Sequence, residues 1–137
     1  MPKNIQNIIK VKFKRTFFDN LQYTWLFEDA PTEVKLHLKQ FLGADADIII
    51  CCYFSANNWF AITSDVLISE KNKTRQTILF KDVLKVDCDL KKLAADKRLP
   101  YDTIELCTSN NNVLLEVEKR TWGSWLEVLR ILNLRAI

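Results

Sequence analysis

Glycine and histidine are scarce in this chain of 137 residues, and long apolar runs are missing. The two glycines, Gly43 and Gly123, lie in unrelated segments, so no glycine-rich loop is present to bring the backbone against a phosphate. With His37 as the single histidine and no C-x-x-C among Cys51, Cys52, Cys88 and Cys107, the residue types of a zinc site do not assemble. A G-x-S-x-G nucleophile signature is also missing. The longest apolar run, Ile48 through Phe54, falls far short of the roughly 20 residues of a membrane-spanning helix. The opening MPKNIQNIIKVKFKR has no continuous apolar stretch and no small-residue cleavage site, so a cytoplasmic location is expected. Twenty basic against seventeen acidic side chains leave a charge of +3, too mild for a dedicated nucleic-acid binder, and no nucleic-acid partner is expected.

Apolar material is plentiful. Eight phenylalanines, four tryptophans and three tyrosines within a 48% hydrophobic composition can fill one sizeable core, and the length suits one compact unit. In a reducing compartment the cysteines are expected to be free thiols that act as small apolar side chains.

From about residue 47 the chain reads as short β-rich runs separated by turn residues. The runs are DIIICCYF, WFAIT, VLIS and RQTILF, then Val83 to Cys88, DTIELCT and VLLEVE. They predict seven antiparallel strands. Alternation assigns Leu84, Val86 and Cys88, then Ile104 and Leu106, then Val113, Leu115 and Val117 to a core face, opposite Lys85, Asp87, Glu105 and Glu116. In the first strand both faces are apolar: Ile48, Ile50, Cys52 and Phe54 form one, Ile49, Cys51 and Tyr53 the other. A cover for the second face is therefore expected, either from the chain itself or from another molecule. The Asn57-Asn58 turn predicts a tight hairpin with left-handed backbone, and Trp59 begins its return strand.

The chain ends in TWGSWLEVLRILNLRAI, where Trp122, Trp125, Leu129 and Leu132 recur at helical spacing behind Thr121 as an N-cap. Upstream, Val34, Leu38, Phe41 and Leu42 predict a helix closed by Gly43. Ile9, Val11 and Phe13 alternate with Lys10, Lys12 and Lys14, which suggests a strand or an amphipathic arm, whereas Phe17, Leu21 and Trp25 fit a helix.

Seven strands followed by one amphipathic helix, with the wording NWFAITSDVLI, TILFKDVLKVD and TIELCTSNNNVLLEVE, resemble the bacterial pleckstrin-homology-like and GRAM-type domains over residues 47–135. The resemblance implies an α+β, mainly β fold: a seven-stranded, partly open antiparallel barrel with a C-terminal capping helix over residues 47–137. Residues 1–46 lie outside the resemblance and are expected to form a helical N-terminal extension that packs on the barrel. The family's usual work is to bind lipid head groups, peptides or proteins without chemistry. Its phosphoinositide-binding members carry a basic cluster between the first two strands, where this chain has Ser55, Ala56, Asn57 and Asn58, so that kind of lipid recognition is not implied.

Successive strand residues point to opposite faces, so Cys51 and Cys52 cannot converge on one ion, and Cys88 and Cys107 fall on opposite faces. His37 lacks a nucleophile partner in the sequence and is expected at a surface or boundary. Basic residues gather in three places: Lys3, Lys10, Lys12, Lys14 and Arg15 at the start, Lys71, Lys73 and Arg75 at a turn, and Lys91, Lys92, Lys97 and Arg98 in a later connection. The first set is interleaved with Phe13, Phe17 and Phe18 and suits an anionic surface, although a solvated face is the commoner outcome of such a pattern.

These readings converge on a non-catalytic binding module with no cofactor and no metal. The expected mode is contact with a protein partner, as a monomer or a homodimer; the alternative is peripheral binding to anionic lipid. The candidate interaction residues are Ile49, Tyr53, Phe17, Trp25, Lys10, Lys12, Lys14, Lys71, Lys73 and Arg75.

Overall fold

The computed structural model describes residues 2–17, 20–88, 101–110 and 112–136. The expected connection through Lys91, Lys92, Lys97 and Arg98 lies outside the described residues, as do Phe18 and the side chains of Lys3 and Cys88. The fold is α+β and mainly β, with two antiparallel sheets and helices at both ends of the chain. No described helix is long and apolar enough to cross a membrane.

Helix α1 (Pro2–Thr16) forms where alternation suggested a strand or arm. Its decisive spacing is four residues: Ile9 and Phe17 are buried and Ile5 and Phe13 pack beside them, while Val11 faces out. The lysines that alternate with the apolar residues end up around the rim of one helical stripe. The helix expected through Phe17, Leu21 and Trp25 is not found among the described residues, because Thr24–Leu26 forms a short strand, β1, followed by one 3₁₀ turn. Thr24, Trp25 and Leu26 pair with Cys52, Cys51 and Ile50, so a neighbouring strand edge overrides the local helical spacing.

Helix α2 (Thr32–Leu42) follows as expected and ends at Gly43, whose φ of 94° lies where a Cβ is strained and whose N–H donates to Lys39 O. The remaining strands are β2 (Ile50–Ser55), β3 (Asn58–Ile62), β4 (Val66–Lys71), β5 (Thr74–Leu79), β6 (Val83–Cys88), β7 (Tyr101–Thr108) and β8 (Asn112–Glu118). All seven expected strands are present, and β1 adds an eighth. They form a five-stranded sheet in the order β1-β2-β3-β4-β5 and a three-stranded sheet β6-β7-β8, with no closed barrel among the described residues. Helix α3 (Trp122–Ala136) packs against the smaller sheet and against α1.

The two faces of β2 separate two cores. Cys52, Phe60 and Ile62 join the main core with Trp125 and the inner face of the smaller sheet. Cys51, Trp59 and Ala61 form a second cluster with Val34 and Leu38 of α2. The apolar outer face is thus covered from within the chain. Ile49, expected on that outer face, is instead buried in the main core, while Ile48 packs in the second cluster. Strand geometry begins only at Ile50, so alternation does not carry back through residues 48 and 49.

A second phase error has a similar cause. Leu84, expected in the core, is 70% exposed, and Val83 and Val86 are buried, because the β6–β7 register slips between Val83 and Lys85. The left-handed backbone expected at Asn57 occurs instead at Asn72 and Lys73, with φ of 51° and 69°, in the β4–β5 hairpin. Trp125 is fully buried as expected, but Trp122 is only half-buried. Thr121 precedes α3, and its carbonyl accepts Trp125 N–H; its hydroxyl donates back to Glu118 O at 2.6 Å.

Two carboxylates bind the sheets to each other. Glu118 accepts the backbone N–H groups of Gln22 (2.7 Å) and Tyr23 (2.8 Å) and the hydroxyl of Thr24 (2.8 Å). Glu116 accepts Asn58 Nδ2 at 2.7 Å and pairs with Lys71. Expected on a solvated outer face, Glu116 is buried, because β8 runs across the ends of β1, β3 and β4. Each carboxylate finds donors there that offset its desolvation.

Candidate functional site

The pairing register lines up four chemically distinct side chains across four strands. Tyr53 on β2 faces Trp59 on β3, Trp59 faces Glu70 on β4, and Glu70 faces Arg75 on β5. Neighbours in such a row lie within reach of each other, which is the geometric condition for cross-strand contacts. Helix α2 lies along this row and adds His37 and Phe41, one turn apart, with ring centroids 4.7 Å from each other.

Arg75 is the charged end of the assembly. Its guanidinium carbon sits 4.3 Å from the centroid of Phe41 and 6.0 Å from that of Trp59, while Nη2 donates to Glu70 Oε1 at 2.8 Å and Nε at 3.3 Å. The flat cation is held between a carboxylate and aromatic faces, an arrangement suited to guanidinium rather than ammonium. At the other end, Tyr53 Oη and His37 Nδ1 share a hydrogen bond of 2.6 Å. Burial pushes the Tyr53 hydroxyl up from its ordinary pKa, and the Glu33 and Glu70 carboxylates push the same way, so the phenol stays protonated through neutral pH. His37 Nε2 and Trp59 Nε1 are buried with no hydrogen-bond partner among the described residues.

The accessible part of this row is narrow. Trp59 is buried, whereas Phe41 is 44% exposed and the Arg75 side chain 38%. An aromatic edge beside a fixed guanidinium, supported by packed residues beneath, presents a preorganised contact surface.

No family model, curated protein or solved structure matches the chain. Function must therefore be read from these residues.

Of the candidate interaction residues, Tyr53 and Arg75 belong to this row. Trp25 is half-buried and packs against the α2 cluster. Phe17 and Ile49 are buried core residues; the Phe17 ring stacks on Phe13 at 4.4 Å and meets Trp125 edge-on at 5.2 Å. Lys10 and Lys12 form ion pairs with Glu28 (3.6 Å) and Glu127 (3.5 Å), and Lys71 is held by Glu116. Lys14 is exposed at the end of α1, and Lys73 is exposed at the tip of the β4–β5 hairpin. These basic residues divide between α1 and the β4–β5 hairpin.

Sequence reasoning singled out neither Glu70 nor Phe41 for this site, nor His37 as the partner of Tyr53. Phe41 was legible as part of an apolar helical stripe. Arg75 was legible as a candidate basic residue, but its approach to Phe41 was not, because that depends on the register of three hairpins and on where α2 lands.

The cysteines are placed by chemistry as well as by position. Burial pushes the Cys51 thiol up to about 12, and it pushes Cys52 higher still, partly offset by the Thr24 hydroxyl at 3.8 Å. Cys107 is half-buried on the outer face of the smaller sheet, as expected, and is also raised, by desolvation first and by Glu105 next. None of the three is poised as a thiolate.

Proposed function

We propose that this chain is a non-catalytic binding module that engages a protein partner through the Phe41–Arg75 end of the cross-strand row. The observation that carries the reading is the exposed Phe41 ring with Arg75 4.3 Å above it, fixed by Glu70. Arginine and aromatic side chains are enriched at the centres of protein interfaces, and their rigidity reduces the ordering that association would otherwise require. We also read strands β2 to β8 with α3 as a pleckstrin-homology-like arrangement. The support is the division of seven antiparallel strands into sets of four and three ahead of a C-terminal helix.

Attachment to anionic lipid is the competing expectation. It is weakened by the pairing of Lys10 and Lys12 with acidic side chains, which lowers the field that α1 offers to a charged surface.

Affinity capture with the wild-type chain, Phe41→Glu and Arg75→Glu tests the proposal, with liposome co-sedimentation run beside it across a salt series. A protein retained by the wild type and lost from both folded variants supports the reading. Sedimentation with anionic vesicles that disappears as salt rises, with no protein retained, overturns it in favour of membrane attachment.

A further inference from the structure

The face of α1 turned away from the sheets is not closed by the described residues. Ile8 and Val11 of α1 and Ile131 of α3 form the floor of an open groove of about 330 Å³, bordered on the α1 side by Asn7, Lys12 and Arg15. Val11 is 48% exposed, and Leu134, one turn beyond Ile131 on α3, is 71% exposed. This groove lies apart from the Phe41–Arg75 row and uses different elements.

We propose that the α1–α3 groove docks an acidic amphipathic helix of a protein partner. The proposal rests on the binding-module reading above and names a partner class for it. Charge selects the occupant. Helix α1 contains no acidic residue, Arg15 pairs with no described carboxylate, and Lys12 is paired with Glu127 of α3. A helix with a leucine-type stripe and acidic flanks would bury the stripe on Ile8, Val11 and Ile131 and set a carboxylate against Arg15, the lining cation with no described carboxylate partner. A second copy of the chain would instead bring one acid-free basic helix against another. A bilayer would meet a concave floor with a flat surface and leave it unfilled, whereas the side-chain ridge of a helix fits between two helices.

Two labelled peptides of about 18 residues, long enough to fold on a surface, test the proposal. Both carry the same leucine stripe; one has glutamate at the flanking positions and the other lysine. Fluorescence anisotropy with the full chain is expected to show binding of the glutamate peptide alone, weakened at least about tenfold by Arg15→Glu and by Val11→Glu. Circular dichroism checks that both variants remain folded, and Arg15→Glu keeps the test decisive if Val11→Glu does not. Equal binding of the two peptides, no binding of the glutamate peptide, or binding insensitive to both substitutions overturns the proposal. So does sedimentation with phosphatidylserine vesicles lost in Arg15→Glu, or self-association lost in Val11→Glu. If the groove fails while Phe41→Glu still abolishes capture of a partner, the binding-module reading stands without it.

Discussion

Glu118 shows how much one side chain can hold when its surroundings are complete. Its carboxylate is buried, and it gathers two backbone N–H groups and one hydroxyl from residues 22–24, joining the N-terminal segment to β8. Glu118→Ala is expected to cost about 2–4 kcal/mol in urea unfolding, because three donors, the buried Thr24 hydroxyl among them, lose a charged acceptor together. Trp125 works by packing instead: fully buried, it meets Phe17 and Phe60 edge-on at 5.2 and 4.8 Å. Trp125→Ala is expected to cost about 3–5 kcal/mol, and an unchanged melting temperature would contradict its central place. The buried thiols set an alkaline limit. An unfolded Cys51 ionises near 9.0 and the folded one near 12, so above pH 9 the unfolded chain releases a proton that the folded chain keeps. Stability is therefore full below about pH 9 and declines as pH rises towards 12, with a limiting slope near 1.4 kcal/mol per pH unit for each such thiol. Urea midpoints at pH 8, 9.5 and 10.5 measure the decline, and Cys51→Ala should reduce it.

Helix α2 is the element that turns a two-faced apolar strand into a buried one. Leu38 is fully buried, and with Val34 it closes the cluster containing Cys51, Trp59 and Ala61. Leu38→Ala is expected to cost about 2–5 kcal/mol and to loosen the helix before the sheet. Native-state labelling should then reach Cys51 while Cys52, facing the main core, stays protected. The helix itself was legible, since its apolar spacing and closing glycine are local signals. β1 was not: three residues become a strand only because β2 offers them an unpaired edge, and nothing local announces such an edge. For α1 alternation pointed to a strand or an amphipathic arm, because lysines alternating with apolar residues imitate a strand, while the four-residue spacing of Ile5, Ile9, Phe13 and Phe17 matters only once a helix has a core to face.

For the whole molecule, the N-terminal segment and the sheets share their interior. Ile9 and Phe17 lie in the same core as Trp125 and the inner faces of both sheets, and β1 forms one edge of the larger sheet. Thermal unfolding should therefore give one coincident transition by tryptophan fluorescence and far-ultraviolet circular dichroism; two separated transitions would show that the segment folds independently. Deletion of residues 1–44 removes α1, β1 and α2 together, leaving the edge of β2 and the face around Cys51 and Trp59 open. An insoluble or self-associating product is expected, measurable by light scattering.

The sequence alone determined seven strand positions, the inward residues of β7 and β8, the C-terminal helix and the need to cover β2, because periodicity and turn chemistry act over a few neighbouring residues. Tertiary structure decided where local rules end. It put Ile49 inside by ending the strand at Ile50, turned Leu84 outward through a register slip, and made buried staples of Glu116 and Glu118 by laying β8 across distant strand ends. The candidate site belongs to that second class. Phe41 and Arg75 lie in separate elements, and they meet only because three hairpin registers align one row of side chains beneath a helix.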